Sequence, residues 1–325
     1  MKYAKDTRPQ PTSIEMAKVL VKALPWIKNI TGKTVVVKYG GSAMIDHKLR
    51  ADVMNDIVLL KIIGMNPIIV HGGGNDISEA MELFNEPVEF KNGLRVTSEK
   101  GMDIVRMVLM GKVNQELVET MNVHGNLAVG VSGADAGTII ANQYSPELGR
   151  VGIVSRINPA YLNDLINDDY IPVVASLAMG EDGGYYNVNA DLVAGEIAAA
   201  IGAHKIIFLT DVDGLYEDFS DKDTLISNMT LNEIRKMIEG NGISKGMIPK
   251  LKACIAALEA GVFRAHIING TTPHALILEL LTNIGVGTTM HSTEEACDFD
   301  THPLGNFASK LLENQSESTK PQNDI

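Results

Sequence analysis

The sequence predicts an α/β fold in which helices cover both faces of a mostly parallel β-sheet. Strand-like runs alternate with helix-like runs along most of the chain, which is the pattern of βα units. Several of the strand-like runs are continuously apolar, as expected for parallel strands that are buried on both faces. With 325 residues, of which 45% are hydrophobic, the chain is long enough for one large core or two smaller ones.

The charge and the cysteine content exclude several classes of protein. The formal net charge of −12 argues against a general affinity for nucleic acid or anionic membranes, because neither surface would attract the chain. The two cysteines, Cys254 and Cys297, are too few for a disulfide framework. Residues 1–13 lack the apolar core of a signal peptide, and no apolar run reaches about 18 residues. We therefore expect a cytoplasmic protein with no membrane or nucleic-acid partner.

The expected elements follow one another in order along the chain. Strands are expected at residues 34–42, 67–70, 127–131, 138–142, 152–157, 171–175, 205–210, 265–268 and 287–290. Helices are expected at residues 14–30, 52–63, 77–84, 99–123, 159–166, 191–201, 231–239, 249–260 and 274–281. Between residues 87 and 96, the dipeptide Asn92-Gly93 predicts a β-hairpin, and Ser98 is a suitable N-cap for the helix that follows.

The amphipathic helix at residues 14–30 precedes the first strand, and Pro25 and Gly32 are its stop signals. Its apolar stripe either packs on its own domain or meets another subunit. Trp26, the only tryptophan, lies in this helix and would make a good anchor for such a contact.

The apolar run at residues 68–70 ends in His71 and three consecutive glycines, Gly72, Gly73 and Gly74. Such a run usually means that the backbone adopts φ > 0 or that a ligand approaches closely, because glycines cost conformational entropy on folding. Backbone amides at the start of the following helix would favour a negatively charged ligand. The run therefore predicts an anion pocket, and a flexible strand-to-helix turn is the simpler alternative.

A second candidate anion site follows the first strand at Lys38, Gly40 and Gly41. The sequence contains neither a P-loop nor a dinucleotide-binding fingerprint after a strand, so a phosphate group would need a different site. The lysine adds charge, and the glycines let backbone amides approach phosphate oxygens. A surface lysine is the alternative if this motif is considered by itself.

Three further charged residues could belong to such a site. Lys250 lies in the first turn of a predicted helix, where a cation is unfavourable unless a bound anion offsets the helix dipole. Asp191 begins another helix, where it either caps the helix or holds two lysines in position. Arg95, in the hairpin, could clamp a carboxylate with its planar guanidinium. A solvated lysine and an exposed arginine are the simpler alternatives.

Two lysines, glycine-rich loops and no evident general base suggest phosphoryl transfer to an acceptor that is already ionised. A carboxylate needs no deprotonation near neutral pH. Catalysis would then consist of positioning and charge neutralisation, with Mg²⁺ on the nucleotide phosphates. His71 fits a structural hydrogen-bonding residue better than a base. No His/Cys cluster supports a zinc site, and no Ser-His-Asp order can be read from the spacings.

Six motifs, in matching order over about residues 30–290, together resemble the acetylglutamate kinases of the amino-acid kinase family. They are VVVKYGG (35–41), VHGGG (70–74), NGLRVT (92–97), NVNAD (187–191), TDVDG (210–214) and GMIPK (246–250). The resemblance implies a three-layer αβα sandwich with a mostly parallel central sheet, the amino-acid kinase fold. It also implies that ATP, with Mg²⁺, phosphorylates the side-chain carboxylate of N-acetyl-L-glutamate to N-acetyl-L-glutamyl 5-phosphate in arginine biosynthesis.

The resemblance implies a role for each matching residue. Lys38 and Lys250 would stabilise the transition state, and Asp191 would organise them. The residues that would hold acetylglutamate are Gly73, Gly74, Arg95 and Asn187, with Arg95 on a substrate carboxylate. Those that would bind the nucleotide are Gly40, Gly41, Asp211, Val212, Asp213, Gly214, Leu215, Tyr216, Gly242, Ile243, Ser244, Gly246 and Met247. No protein ligand for a metal is expected.

The composition shifts near residue 203 and becomes polar after Met290, which predicts a domain boundary at the first point and a polar tail at 293–325. The family fold implies an acetylglutamate-binding domain at 31–202 and an ATP-binding domain at 203–292, and residues 1–30 form an N-terminal helical extension. The extension resembles that of arginine-inhibited members, where it interlaces dimers into a homo-hexamer, a trimer of dimers. An arginine site is expected from Trp26, His266, Glu279, Gly285 and Gly287, with Lys222 as a guess for its lysine. A P-II signalling protein is a partner of some relatives, but nothing in this sequence establishes one.

Two alternatives remain at this stage. The chain could be a carbamate, glutamate or aspartate kinase of the same family, which the hairpin motif at residues 92–97 disfavours. It could also be a non-catalytic sensor of arginine or acetylglutamate. Retention of Lys38, Lys250 and Asp191 argues against the sensor.

Overall fold

The computed structural model describes residues 11–44, 46–240, 243–244, 246–282 and 285–292. Within these ranges the helices are α1 (Pro11–Ile30), α2 (His47–Ile62), α3 (Gly74–Leu83), α4 (Glu99–Arg106), α5 (Gln115–Asn122), α6 (Ala160–Asn167), α7 (Ala190–Ile201), α8 (Leu231–Glu239), α9 (Ile248–Glu259) and α10 (Ala275–Leu281). A π-helical segment, Met107–Asn114, joins α4 to α5.

The strands of the described ranges are β1 (Thr34–Tyr39), β2 (Asn66–His71), β3 (Phe90–Lys91), β4 (Leu94–Arg95), β5 (Ala128–Ser132), β6 (Ile139–Gln143), β7 (Val151–Ile157), β8 (Ile171–Ala175), β9 (Leu177–Gly180), β10 (Tyr185–Val188), β11 (Lys205–Thr210), β12 (Leu215–Tyr216), β13 (Leu225–Ile226), β14 (Asn228–Thr230), β15 (Arg264–Asn269) and β16 (Gly287–His291). Four of these strands, β1, β8, β11 and β16, begin at the predicted residues.

The central sheet has eight strands in the order β14-β16-β15-β11-β1-β2-β8-β5. Every neighbouring pair is parallel except β15 and β16, which confirms the predicted mostly parallel sheet. Alternate residues of β1 enter different cores: Val35 and Val37 pack in one hydrophobic cluster and Val36 in the other. Since strand side chains point to opposite faces in turn, helices cover both faces and the molecule has three layers.

The register of the sheet places the sequence motifs at one edge. Lys38 lies opposite Val70 of β2 and Phe208 of β11, and Thr210 lies opposite Asn269 of β15. The carboxyl ends of β1, β2, β11 and β15 therefore lie side by side. Ligands of parallel sheets bind at such ends, which is where the glycine, lysine and aspartate motifs follow.

Several features differ from the sequence predictions. Pro25 lies inside α1 and does not end it, because one proline removes one backbone hydrogen bond while the helix continues on both sides. The predicted helix at 99–123 is continuous but contains the π-helical segment. The strands β9 and β10 were not predicted, and they close a four-stranded barrel with β6 and β7.

Residues 218–224 and the predicted tail match none of the six family motifs. Residues 218–224 connect the two short strands β12 and β13, which pair with each other in antiparallel fashion. The predicted tail, residues 293–325, lies outside the described residues. No helix in the described part of the chain is both long enough and apolar enough to cross a membrane.

Candidate active site

A buried carboxylate between two lysines forms the centre of the candidate site. Lys38 lies near the carboxyl end of β1, Asp191 in the first turn of α7 and Lys250 in the first turn of α9. The Nζ atom of Lys38 is 2.9 Å from Oδ1 of Asp191, and the Nζ atom of Lys250 is 2.9 Å from Oδ2. The three predicted catalytic residues are therefore in direct contact.

Asp191 does not cap α7. The N-cap is Asn189, whose side-chain oxygen accepts hydrogen bonds from the backbone amides of Asp191 and Leu192. The capping alternative for Asp191 is thus wrong, because the residue two positions earlier already fills that role. Burial alone would raise the pKa of Asp191, but the ammonium groups of Lys38 and Lys250 outweigh it and hold the pKa below its usual value. The carboxylate is charged and binds both cations.

A cavity of about 210 Å³ opens beside this triad. Its lining includes Lys38, the three glycines 72–74, Arg95, Asn187 and Asp191. The structure thereby brings together the predicted catalytic residues and every predicted acetylglutamate residue. Ser176, Leu109 and Phe90 also line the cavity, and no sequence motif marked them.

The triple glycine allows close packing and presents backbone amides at the start of α3. It does not adopt the positive φ that was one of the two predicted reasons for the glycines. None of the three glycines has a positive φ. A Cβ atom on Gly73 would lie 2.8 Å from Cδ2 of Leu109 in the π-helical segment, so a side chain there would clash. Gly73 is also the N-cap of α3 and offers no side chain to the first backbone amides. These amides and the helix dipole favour an anion in the cavity.

Arg95 is buried beneath the hairpin of β3 and β4. Asn92 and Gly93 at the hairpin tip both have positive φ, 51° and 81°, as the predicted turn requires. The Arg95 guanidinium donates to the Gly74 carbonyl and to the Ser78 hydroxyl, each at 2.7 Å. Burial lowers its pKa. Since none of the described carboxylates contacts it, its charge is available to a ligand, and the exposed-arginine alternative is wrong.

His71 at the end of β2 is a buried, neutral side chain. Burial lowers its pKa to about 4. Nδ1 lies 3.0 Å from the Gly72 carbonyl oxygen, and Nε2 lies 3.0 Å from the side-chain nitrogen of Asn114. Both ring nitrogens are engaged, which confirms the interpretation of a structural residue.

The predicted nucleotide residues lie around the carboxyl ends of β1 and β11. Gly41 has φ 78°, a conformation that favours glycine, and a Cβ atom on Gly40 would lie 2.6 Å from the Lys38 Nζ atom. After β11, the Asp213 carboxylate accepts from the Asn269 amide at 2.8 Å and from the Tyr216 hydroxyl at 2.7 Å. These hydrogen bonds lower the pKa of Asp213. Gly242 lies outside the described residues, whereas Ile243, Ser244, Gly246 and Met247 precede α9 and its Lys250.

A second cavity, of about 370 Å³, collects the residues predicted for arginine. Its lining includes Trp26, His266, Glu279, Gly285 and Gly287. The buried Glu279 carboxylate accepts from the His266 ring at 2.6 Å and from the Val286 backbone amide at 2.9 Å. Burial would raise the pKa of Glu279, but these hydrogen bonds dominate and lower it to about 2.

The lysine of this second cavity was not predicted correctly. Lys222 lies over the rings of Tyr216 and Phe219, away from the cavity. Lys205, the first residue of β11, lines the cavity together with Arg264. Burial and the neighbouring Arg264 lower the pKa of Lys205 to about 8. A lysine at the start of an apolar strand carries no motif, which is why the sequence did not reveal it.

Known proteins resemble this chain in sequence and in fold. Residues 33–269 match the profile of the amino acid kinase family. The acetylglutamate kinase of Halothermothrix orenii is 49% identical over 280 residues, which are 85% of this chain and 97% of that protein. The acetylglutamate kinase of Caldanaerobacter subterraneus subsp. tengcongensis is 50% identical over 274 residues, 84% of this chain and 92% of that protein.

A solved structure of similar fold is N-acetylglutamate synthase from Neisseria gonorrhoeae in complex with coenzyme A and N-acetyl-glutamate. The TM-score is 0.75 at 21% identity, over 92% of this chain and 70% of that one, so the likeness concerns the fold alone. The protein described here belongs to the amino acid kinase family. The resemblance to acetylglutamate kinases that the motifs predicted is confirmed at about 50% identity over most of the chain.

Proposed function

We propose that the protein transfers the γ-phosphoryl group of ATP to the side-chain carboxylate of N-acetyl-L-glutamate, forming N-acetyl-L-glutamyl 5-phosphate for arginine biosynthesis. The observation that carries this proposal is the Lys38–Asp191–Lys250 triad beside a cavity that is lined by Arg95 and by the glycines at the start of α3. The names of the relatives support the choice of acceptor.

The acceptor occupies the 210 Å³ cavity between the triple glycine and the hairpin. The amides of Gly73 and Gly74 at the start of α3 bind one carboxylate, and Arg95 binds the other. Asn187, whose amide lies 3.4 Å from the Thr97 hydroxyl, lines the same cavity and is suited to a polar group of the substrate. The acceptor carboxylate is ionised near neutral pH, so the reaction needs no general base.

Phosphoryl transfer relies on charge neutralisation at the triad. The transferred group and both flanking oxygens carry negative charge, and the ammonium groups of Lys38 and Lys250 stabilise that charge where it develops. Two cations aimed at one group repel each other before the substrate binds. Asp191 removes this penalty by pairing with both, each at 2.9 Å, and fixes their positions.

The donor lies on the side of residues 203–292, and the acceptor on the side of residues 31–202. Gly40 and Gly41 contact the ATP phosphates, and the segments 211–216 and 242–247 line the nucleotide. Within the described ranges no group of three or more His, Cys, Asp or Glu side chains could hold a metal ion. We assign Mg²⁺ to the substrate, as the MgATP complex in which phosphate oxygens hold the metal.

Substitution of the two lysines tests this mechanism. Lys38→Ala and Lys250→Ala should each lower kcat by about a hundredfold or more, because each removes a cation that stabilises the transition state. Steady-state assays with ATP and N-acetyl-L-glutamate measure the effect. Turnover close to wild type in either variant would refute the role assigned to that lysine.

We further propose that arginine inhibits the enzyme by binding in the 370 Å³ cavity, in a homo-hexamer built as a trimer of dimers. Glu279 offers a buried carboxylate to the guanidinium, and Lys205 offers a cation to the arginine carboxylate. The α1 helix contributes Trp26 to the cavity and exposes apolar side chains such as Met16 and Leu20, which suit a contact between subunits.

A further inference from the structure

Two buried side chains, His71 and Asn114, form a hydrogen-bonded chain that the proposed phosphoryl transfer does not use directly. Neither residue is exposed to solvent. The Asn114 amide nitrogen lies 2.8 Å from the Val173 carbonyl oxygen of β8 and 3.0 Å from Nε2 of His71. On its other side, Nδ1 of His71 lies 3.0 Å from the Gly72 carbonyl oxygen. The chain of contacts thus runs from the sheet to the triple glycine.

The Val173 carbonyl determines which way every hydrogen in this chain points. A carbonyl oxygen can only accept, so the Asn114 side chain must present its NH₂ group to Val173. The same NH₂ group faces His71, whose Nε2 must then be an acceptor without a hydrogen. A neutral imidazole carries its hydrogen on one nitrogen only, so Nδ1 holds it and donates to the Gly72 carbonyl.

The surroundings of Asn114 support this orientation of its amide. Its side-chain oxygen is buried and receives no hydrogen bond from the described residues, a cost that the two contacts of its NH₂ group offset. A Cβ atom on Gly130 would lie 2.0 Å from that oxygen, so residue 130 has room for the amide only because it is glycine. The reversed amide would place an oxygen against the Val173 carbonyl, where two acceptors repel. Asn114 is also the last residue of the π-helical segment, a rare form that is frequent at functional sites.

The direction of the Gly72 carbonyl fixes the direction of the next amide. In a trans peptide the C=O and N–H bonds point in opposite directions, so the Gly73 N–H points away from the buried ring. Gly73 lines the acceptor cavity and is the N-cap of α3. Because it has no side chain, it cannot accept a hydrogen bond from the first backbone amides of the helix. We propose that Asn114 and His71 are positioning residues, which set the histidine tautomer and thereby aim the Gly73 amide at the acceptor carboxylate. The identity of that acceptor rests on the proposed function.

The first test is independent of activity. Solid-state ¹⁵N NMR of protein labelled at the histidine ring nitrogens distinguishes a protonated nitrogen from an unprotonated one, and subtraction of the His71→Asn spectrum assigns the His71 signals. We expect a hydrogen on Nδ1 and none on Nε2. Asn114→Leu removes the donor to Nε2 and should shift the Nε2 signal to that of an unprotonated nitrogen without a hydrogen bond, whereas Met121→Ala, a buried change seven residues further along the chain in α5, should leave the His71 signals unchanged. A wild-type His71 protonated at Nε2 would overturn the proposal.

The second test uses two variants that each preserve one half of the ring. An asparagine side chain can imitate Nδ1–H and donate to Gly72, whereas a glutamine side chain can imitate Nε2 and accept from Asn114. We expect His71→Gln to raise KM for acetylglutamate about tenfold and His71→Asn by less than about threefold, since one lost hydrogen bond to a charged ligand has that magnitude. KM for ATP should stay near wild type in both.

These outcomes separate the proposal from a structural role and from the proposed function. Equal increases of both KM values in both variants would mean that the chain only supports packing, and would overturn the proposal. If either variant fails to fold, the wild-type NMR spectrum still shows which ring nitrogen of His71 carries the hydrogen. A wild type that does not phosphorylate acetylglutamate would refute the proposed function, whereas an active wild type with the hydrogen on Nε2 would refute the positioning role alone.

Discussion

Asp191 is the residue on which the chemistry depends most. It is 6% exposed and pairs with two ammonium groups, so its removal leaves the buried Lys38 and the partly buried Lys250 without their shared counter-charge. Breaking a buried ion pair on one side costs roughly 3–5 kcal/mol. We therefore propose that this residue contributes to both the stability of the fold and the rate of the reaction.

Asp191→Asn should lower kcat by about a hundredfold or more and also lower the melting temperature, because Lys38 and Lys250 lose the charge that holds them. Steady-state kinetics and thermal unfolding measure the two effects. Glu259→Gln is the matched control, since Glu259 forms an exposed pair with Arg235 and should change little. A kcat within a few-fold of wild type in Asp191→Asn would contradict the role of the carboxylate.

The buried histidines make stability depend on pH. Burial lowers the pKa of His71 and of His266 to about 4. The unfolded chain therefore binds more protons than the folded one between about pH 6.5 and pH 4, and the free energy of unfolding falls as the pH is lowered through that window. Each histidine should contribute about 1.4 kcal/mol per pH unit there. Urea unfolding measures how much the free energy of unfolding falls between pH 7 and pH 5. This decrease should be smaller in His71→Asn than in wild type, and equal decreases would contradict the buried neutral state of His71.

At the residue scale, the sequence revealed the polar groups that follow a strand or start a helix. Lys38 and Asp191 could be predicted because each occupies such a position near a glycine or an asparagine, and Lys250 because it follows Pro249 in the first turn of a helix. Lys205 and Ser176 could not, because a lysine that starts an apolar strand and a serine between two short strands carry no distinctive pattern. Asn114 was hidden for a different reason: only the π-helical turn directs its side chain towards His71.

Among the elements, α1 links the proposed regulation to the fold. It precedes the family-matched region, contributes Trp26 to the second cavity and leaves much of its apolar surface exposed. An exposed apolar helix face of this kind favours association with another subunit.

Removal of residues 1–24 should abolish inhibition by arginine and reduce the hexamer to dimers, while activity without arginine is retained, because the active-site residues lie elsewhere. Activity assays in millimolar arginine and light scattering measure the two effects. A chain without residues 293–325 is the control, since the residues to which we assign arginine binding all precede that segment. Persistent inhibition in the shortened chain, or a full-length protein that never exceeds two subunits, would contradict this role of α1.

The sequence predicted long elements better than short ones. The helices α7 and α9 and the strands β8 and β11 follow from periodicity and apolar runs. The strands β9 and β10 have four residues each, too few for a period to be recognised, and the two-residue strands β12 and β13 are shorter still. The hairpin of β3 and β4 is an exception, because Asn92-Gly93 is a specific turn signal.

Across the whole molecule, one sheet carries both halves of the proposed reaction. The acceptor side follows β2 and the hairpin, the donor side follows β11, and β1 pairs with both β2 and β11. Lys38 at the end of β1 therefore lies where we propose that the two substrates meet. The chain carries a net charge of −12, so the positive field that binds two anions is local to this edge.

The central claim is that the carboxylate of N-acetyl-L-glutamate receives the phosphoryl group. The most direct measurement compares ATP-dependent phosphorylation of N-acetyl-L-glutamate with that of free glutamate, aspartate and carbamate, at equal concentrations and with the Asp191→Asn variant as a background control. We expect the kcat/KM for N-acetyl-L-glutamate to be far above the values for glutamate, aspartate and carbamate. A preference for glutamate, aspartate or carbamate would contradict it.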